Sequence, residues 1–308
     1  MNHRILVTGS SGLIGTALTS ALRVKGVNVV RFDLRAHGEA RGDIRDRQHL
    51  QKAVAEVDGI VHLAAVSRVI WGEQHPDLCK ETNVAGLRNL LELAAKSNRT
   101  PWLIAASSRE VYGQPDRLPA TEECPLCPVN VYGRSKVDGE LLVQDARRAG
   151  IRAVTIRLSN VFGSTADHAD RVVPAFARAA ALGQALRVDG LDHTFDFTYI
   201  DDVIRGIIAL VELLSAGESP PPPIHFVSGK PTTLGELASL AIRFGKSGST
   251  IQEAPPRKFD VMRFYGDPTR AKTLLGWQPL VGIEEGVARL VHAFPEAHQE
   301  IDAEEVAQ

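Results

Sequence analysis

Short runs of aliphatic and β-branched residues alternate along the first half of the chain with longer stretches in which apolar residues recur at helical spacing. Ile5-Leu6-Val7 is the first run, and it stops at Thr8-Gly9-Ser10-Ser11-Gly12. Leu13 to Lys25 then reads as an amphipathic helix. Val27 to Phe32, Ile60 to Leu63, Trp102 to Ala105 and Ala153 to Ile156 are further strand-like runs, apolar nearly throughout, as strands covered on both faces are. Helical stretches fall between them near 46–56, 77–96 and 131–149. This alternation predicts an α/β fold built on a doubly wound parallel sheet.

Beyond residue 159 the pattern loosens. Arg171-Val172-Val173-Pro174 opens a helix through about Leu182, and Leu186 to Asp189 reads as a strand. Asp201 and Asp202 precede Val203 to Leu214 as N-cap residues. Pro220 to Pro223 is a stiff linker leading to a strand at Ile224 to Val227. Thr233-Leu234-Gly235-Glu236 is a capping-box pattern for the next helix. The expected organisation is a nucleotide-binding domain over 1–159 plus about 195–228, and a smaller, discontinuous substrate lobe over about 160–194 plus 229–294. The acidic, polar stretch 295–308 is expected to be a mobile tail.

Composition narrows the function class. The 308 residues carry a formal net charge of −2, so no basic surplus points to nucleic acid. No apolar run is long enough to span a membrane, and the N-terminal apolar run is too brief for a signal peptide. Three cysteines suit a reducing compartment, so a cytoplasmic enzyme or binding protein is expected. Cys124-x-x-Cys127 lies among prolines without a second such pair, and no metal is expected.

The candidate chemistry begins at the first turn. Gly9, Gly12 and Gly15 let backbone approach a pyrophosphate while the helix start offers N–H groups to its charge. Asp33, at the end of the second strand, suits the ribose hydroxyls of an adenosine and repels a 2′-phosphate, although Arg31 and Arg35 stand nearby. Tyr132 and Lys136 are one helical turn apart on one face. A lysine beside a phenol favours the phenolate, so Tyr132 is a candidate base near neutrality, with Ser108 upstream as its partner.

These features join four further segments: Ser107-Ser108-Arg109-Glu110-Val111-Tyr112-Gly113, Arg157 to Gly163, Tyr199-Ile200-Asp201-Asp202-Val203 and Leu275-Gly276-Trp277-Gln278-Pro279. Together they resemble the extended short-chain dehydrogenases/reductases, in the NAD-dependent nucleotide-sugar epimerase/dehydratase family, UDP-glucose 4-epimerase-like, over nearly the whole chain. The resemblance implies a Rossmann-type fold, NAD as cofactor, and a UDP- or dTDP-linked diphosphate sugar as substrate. It also implies a homodimer formed through the helices near 77–96 and 131–149, with Leu90, Leu91, Ala94, Ala95, Leu141 and Leu142 as candidates for that contact or for the core.

Carried over residue by residue, the cofactor falls on Gly9, Ser11, Gly12, Leu13, Ile14, Gly15 and Asp33. Asp43 and Ile44 hold the adenine, Leu63, Ala64 and Ala65 pass beneath the dinucleotide, and Tyr132 and Lys136 complete the site. His62 and Asn83 are scaffold. Tyr132, Lys136 and Ser108 would oxidise the sugar 4-hydroxyl, giving a transient 4-keto sugar with enzyme-bound NADH. Substrate contacts are implied at Ser67, Ser108, Arg109 and Asn160, and at Arg171, Val173, Arg187 and Arg257.

Two departures bear on the reaction. Related 4,6-dehydratases carry an Asp-Glu pair after the residue matching Ser108; this chain has Arg109-Glu110. Glu110 is then a base at C5 or a carboxylate paired with Arg109 or another cation. The family's pyrophosphate arginine is replaced by Phe195 in Phe195-Asp196-Phe197, leaving Arg257, Arg171 and Arg263 as other cations for that role. The loss of the dehydratase acid favours a 4-epimerase. A 4,6- or 5,6-dehydratase using Glu110, a uronate decarboxylase, a ketoreductase and a non-catalytic NAD-sensing protein are the alternatives.

Overall fold

The computed structural model describes residues 3–246, 248–256 and 261–306, with side chains described up to Phe294. The first half lays down β1 (Arg4–Thr8), α1 (Leu13–Val24), β2 (Asn28–Phe32), α2 (Arg47–Val54) and β3 (Gly59–His62). α3 (Val69–Gln74), α4 (Pro76–Lys80), α5 (Gly86–Lys96), β4 (Trp102–Ser108), α6 (Val131–Arg148) and β5 (Ala153–Leu158) follow. The second half contains β6 (Asn160–Phe162), α7 (Val172–Ala181), β7 (Leu186–Asp189), β8 (Thr194–Tyr199), α8 (Ile200–Ser215) and β9 (Ile224–Phe226). It ends with β10 (Pro231–Thr233), α9 (Leu234–Phe244), β11 (Ile251–Ala254), β12 (Arg263–Phe264), α10 (Thr269–Leu275) and α11 (Ile283–Val306).

Six parallel strands form the main sheet in the order β2-β1-β3-β4-β5-β9. Side-chain alternation explains how each strand is covered on both sides. In β1, Ile5 and Val7 join the core under α1 and α8, while Leu6 joins the opposite core with Leu50, Leu87 and Leu90. The chain leaves β1 for β2 on one side and returns to β3 on the other, so a crevice opens beyond their C-terminal ends. The expected Rossmann-type sheet is present.

The second lobe carries its own sheet. β8 lies between antiparallel β10 and parallel β12 and also pairs with β6, while β7 pairs with β11. The segment expected in the nucleotide domain from about 195 is therefore split: β8 belongs to the second sheet, and β9 to the first. The reason lies at Asp196, a fully buried carboxylate that accepts N–H groups from Ser228 and Gly229 and so ties β8 to the chain leaving β9.

Other expectations shift for equally local reasons. Asp202 does not cap α8, whose N-cap is Tyr199; it is buried and accepts Leu280 N–H and Val281 N–H, both at 3.0 Å. Asp201 is an exposed partner of Arg289. Thr233 and Glu236 form the capping box of α9. The stretch expected as a tail from Pro295 continues α11 as far as Val306. Of the six candidate dimer-contact residues, Leu90, Leu91 and Ala94 are buried in their own core and Leu142 packs against it, leaving Ala95 and Leu141 exposed. No helix among the described residues is long and apolar enough to cross a membrane.

Candidate active site

A cleft of about 420 Å³ lies between the C-terminal ends of the parallel strands and the second lobe. At its floor the turn after β1 packs tightly: Gly9 adopts φ +71°, and a Cβ on Gly15 would stand 2.1 Å from the Gly9 carbonyl oxygen. Helix α1 starts there with neither a side-chain cap nor an acidic residue in its first turn. Its N-terminal N–H groups thus remain for an anion. Gly9, Gly12, Leu13, Ile14, Gly15, Leu63 and Ala65 line the cleft. This bare helix start, with glycines where a Cβ would collide, fits the pyrophosphate of a dinucleotide.

Asp33 is buried at the end of β2 and grips the same turn, accepting Ser11 N–H at 2.9 Å and Arg35 N–H at 2.7 Å. Arg31 and Arg35 both converge on Ser11, through its hydroxyl and carbonyl respectively. Asp43 and Ile44 lie outside the cleft walls. Arg45 engages both Asp43 oxygens and holds its carboxyl below the usual range, while Ile44 is in the core against Gly86. Ala64 also stays off the walls, its backbone pressed against Gly9.

Ser108, at the end of β4, and Tyr132 and Lys136, on α6, meet on one wall. Asn130 caps α6, its Oδ1 accepting Gly133 N–H at 2.7 Å, and Glu73 accepts Val131 N–H at 2.7 Å. Burial pushes the Tyr132 phenol up to about 12, against the opposing pull of the Ser108 hydroxyl and the Arg171 charge. Lys136 donates to the Ala106 carbonyl at 2.9 Å, and its Nζ lies 5.7 Å from the Tyr132 ring centre. Burial also lowers Lys136 itself, to about 8. Enclosing the phenol removes more stabilisation from its anion than the Ser108 hydroxyl and the Arg171 charge return, whereas the sequence led to the expectation of a lowered phenol.

The scaffold residues behave as expected. His62 is buried, neutral and bonded through Nδ1 to Thr8 Oγ1 at 2.8 Å. Asn83 ties the chain after β3 to α6, bonding Val66 through both backbone groups and donating to Ser135 Oγ at 2.9 Å.

Arg109 and Glu110 also line the cleft, and they are paired: Arg109 Nη2 stands 2.9 Å from Glu110 Oε1. Asn130 Nδ2 donates to Glu110 Oε2 at 2.7 Å, so both carboxylate oxygens are engaged. Phe195 stands under the Arg109 guanidinium, 4.6 Å from its central carbon.

The remaining predicted contacts are distributed around the rim. Asn160 and Val173 line the wall, Asn160 donating to the Asp196 carbonyl at 3.3 Å. Arg171 donates to Ser67 Oγ at 3.2 Å, bridging the two lobes. Arg187 pairs with Asp189 and is largely exposed. Arg257 lies outside the described residues. Two residues were missed by sequence reasoning. Arg68 pairs with Asp170 across the cleft and lies 5.0 Å from the Trp71 ring centre, with no local signal to find it. Asn130 was findable, being a preferred cap type directly before a helix.

Known proteins resemble this chain in sequence and in fold. The sequence pattern of the NAD dependent epimerase/dehydratase family matches residues 5–226. UDP-glucose 4-epimerase of Mycolicibacterium smegmatis is 30% identical over 313 residues, covering 94% of this chain and 98% of that one. UDP-glucuronic acid decarboxylase 1 of Danio rerio is 30% identical, covering 94% of this chain and 72% of its own length. The crystal structure of UDP-glucose 4-epimerase with UDP-glucose from Thermotoga maritima superposes with a TM-score of 0.88 at 27% identity, covering 96% of this chain and 99% of the other.

Proposed function

The chain belongs to the NAD dependent epimerase/dehydratase family, and from that premise we propose that it is a nucleotide-sugar 4-epimerase. The observation that carries the choice of reaction is the state of Glu110, whose two carboxylate oxygens are held by Arg109 and Asn130 while Ser108, Tyr132 and Lys136 face the cleft together. Relatives named for UDP-sugars support a UDP-linked substrate.

Gly9, Gly12, Leu13 and Gly15 would hold NAD, which would supply a reversible hydride acceptor for C4 of the sugar. As the phenolate, which burial opposes and the Ser108 hydroxyl and Arg171 charge favour, the Tyr132 oxygen takes the proton of the 4-hydroxyl as that carbon becomes a ketone, and returns it when the carbon is reduced on its other face. The Ser108 hydroxyl steadies the same oxygen, as its downward pull on the Tyr132 phenol supports. Lys136 contributes positive charge at the foot of the site below about pH 8.

Replacing Tyr132 by Phe removes the acid–base oxygen and leaves the glycine turn untouched. Turnover is expected to fall by at least about 10²–10⁴-fold, with NAD affinity preserved; near-normal turnover would sink the assignment. One second reading has an observation in its favour. Glu110 lines the same cleft beside Ser108, as a C5 base of a dehydratase must. That reaction requires Arg109 and Asn130 to release it first.

A further inference from the structure

We propose that Arg109 selects the sugar by binding a carboxylate carried next to the carbon that is oxidised, which makes the substrate a nucleotide-linked uronic acid. The inference rests on the proposed function for the position of the reacting carbon.

Arg109 is buried to 11% side-chain exposure and is held on three sides. Its central carbon lies 4.6 Å from the Phe195 ring centre and 6.0 Å from that of Phe264, and Nη2 is fixed on Glu110. Nη1 is buried with no hydrogen-bond partner among the described residues. A cationic N–H removed from water without an acceptor is costly, and a guanidinium locked in plane cannot turn to find one. The same rigidity makes it a preformed donor for a flat, charged acceptor.

Position identifies which part of the substrate it meets. Arg109 is joined through Glu110 and Asn130 to the start of α6, two residues from Tyr132, and lines one cleft with Ser108 and Tyr132, so its guanidinium serves the neighbourhood of C4. In a nucleotide sugar the diphosphate is attached at C1, across the ring from C4. The substituent on C5, by contrast, adjoins C4. A carboxylate there completes an ion pair across that hydrogen bond, which a neutral hydroxymethyl group cannot do. Glu110 is the nearest anion and opposes a second carboxylate. Arg109 stands beside it and the Asn130 amide already satisfies its other oxygen, which reduces that repulsion.

The test is equilibrium binding of UDP-glucuronate, UDP-glucose and UDP to the NAD-loaded protein, in the Tyr132→Phe background so that no turnover intervenes. UDP-glucuronate is expected to bind roughly tenfold more tightly than UDP-glucose. Arg109→Lys, and the double variant Arg109→Met with Glu110→Gln that leaves no unpaired charge, should erase that preference and change UDP affinity by less than about threefold. Equal binding of the two sugars overturns the inference. So does a fall in UDP affinity that matches the fall for UDP-glucuronate, because that places the arginine on the diphosphate or reveals a disturbed fold. If none of the three ligands binds, the nucleotide-sugar reading itself fails. If UDP-glucose binds as well as UDP-glucuronate and the unmutated enzyme epimerises it, only the role of Arg109 is lost.

Discussion

Replacing Glu110 by Gln distinguishes a structural carboxylate from a catalytic base. Glu110 is 5% exposed, with Oε1 2.9 Å from Arg109 and Oε2 2.7 Å from Asn130. Removing one member of a buried ion pair outright costs about 3–5 kcal/mol. Glutamine keeps the shape and one acceptor, so a loss of about 1–3 kcal/mol is expected. At about 2 °C per kcal/mol for a chain of this size, the melting temperature should fall by roughly 2–6 °C. Asn130 also caps α6, so Tyr132 is displaced slightly, and turnover should fall by less than about tenfold. A general base contributes about 10²–10⁴-fold instead. Thermal melts with NAD present, initial rates, and deuterium incorporation at C5 make the assay. An unchanged melting temperature with a rate loss beyond a hundredfold, and loss of C5 exchange, would refute the structural role.

Two further perturbations test the framework around the site. Gly15→Ala places a Cβ 2.1 Å from the Gly9 carbonyl oxygen, and overpacking of about 1–3 kcal/mol should weaken NAD binding by about ten- to a hundredfold; Gly282→Ala, with nothing within 4 Å, is the control, and equal NAD affinity in both would contradict the tight-turn argument. Burial holds His62 and His225 down to about 3, from 6.5, so they stay neutral in the fold while the unfolded chain gains protons below 6.5. Stability is therefore intact above that pH and is lost as the pH falls from 6.5 toward 3. His62→Gln should shallow this acid limb in denaturant melts, and an unchanged limb would show that His62 does not titrate on unfolding.

The parts of the fold that follow from local pattern were legible in the sequence. Strands such as β1 are covered on both faces and read as apolar runs, and the glycine turn announces its own geometry. The capping box at Thr233 is a four-residue signal and forms as expected. Asp202 misled because a carboxylate just before a helical run reads as a cap, whereas its partners Leu280 and Val281 are remote in sequence. β8 misled for the same reason, since its sheet is set by distant β10 and β12. At the site, the meeting of Ser108, Tyr132 and Lys136 in one cleft was legible, but the Tyr132 environment was not. Desolvation is a property of the closed wall and has no residue signature. The Arg109–Phe195 stack is likewise visible only once β4 and β8 are brought together.

The most direct test of the account is proton NMR in D2O of the purified enzyme with a panel of UDP- and dTDP-linked hexoses and hexuronates, with no cofactor added. The C4 stereoisomer of one of them is expected to accumulate to equilibrium with protium retained at C5. Loss of water or carbon dioxide, or deuterium appearing at C5, would contradict it and return Glu110 to the role of base.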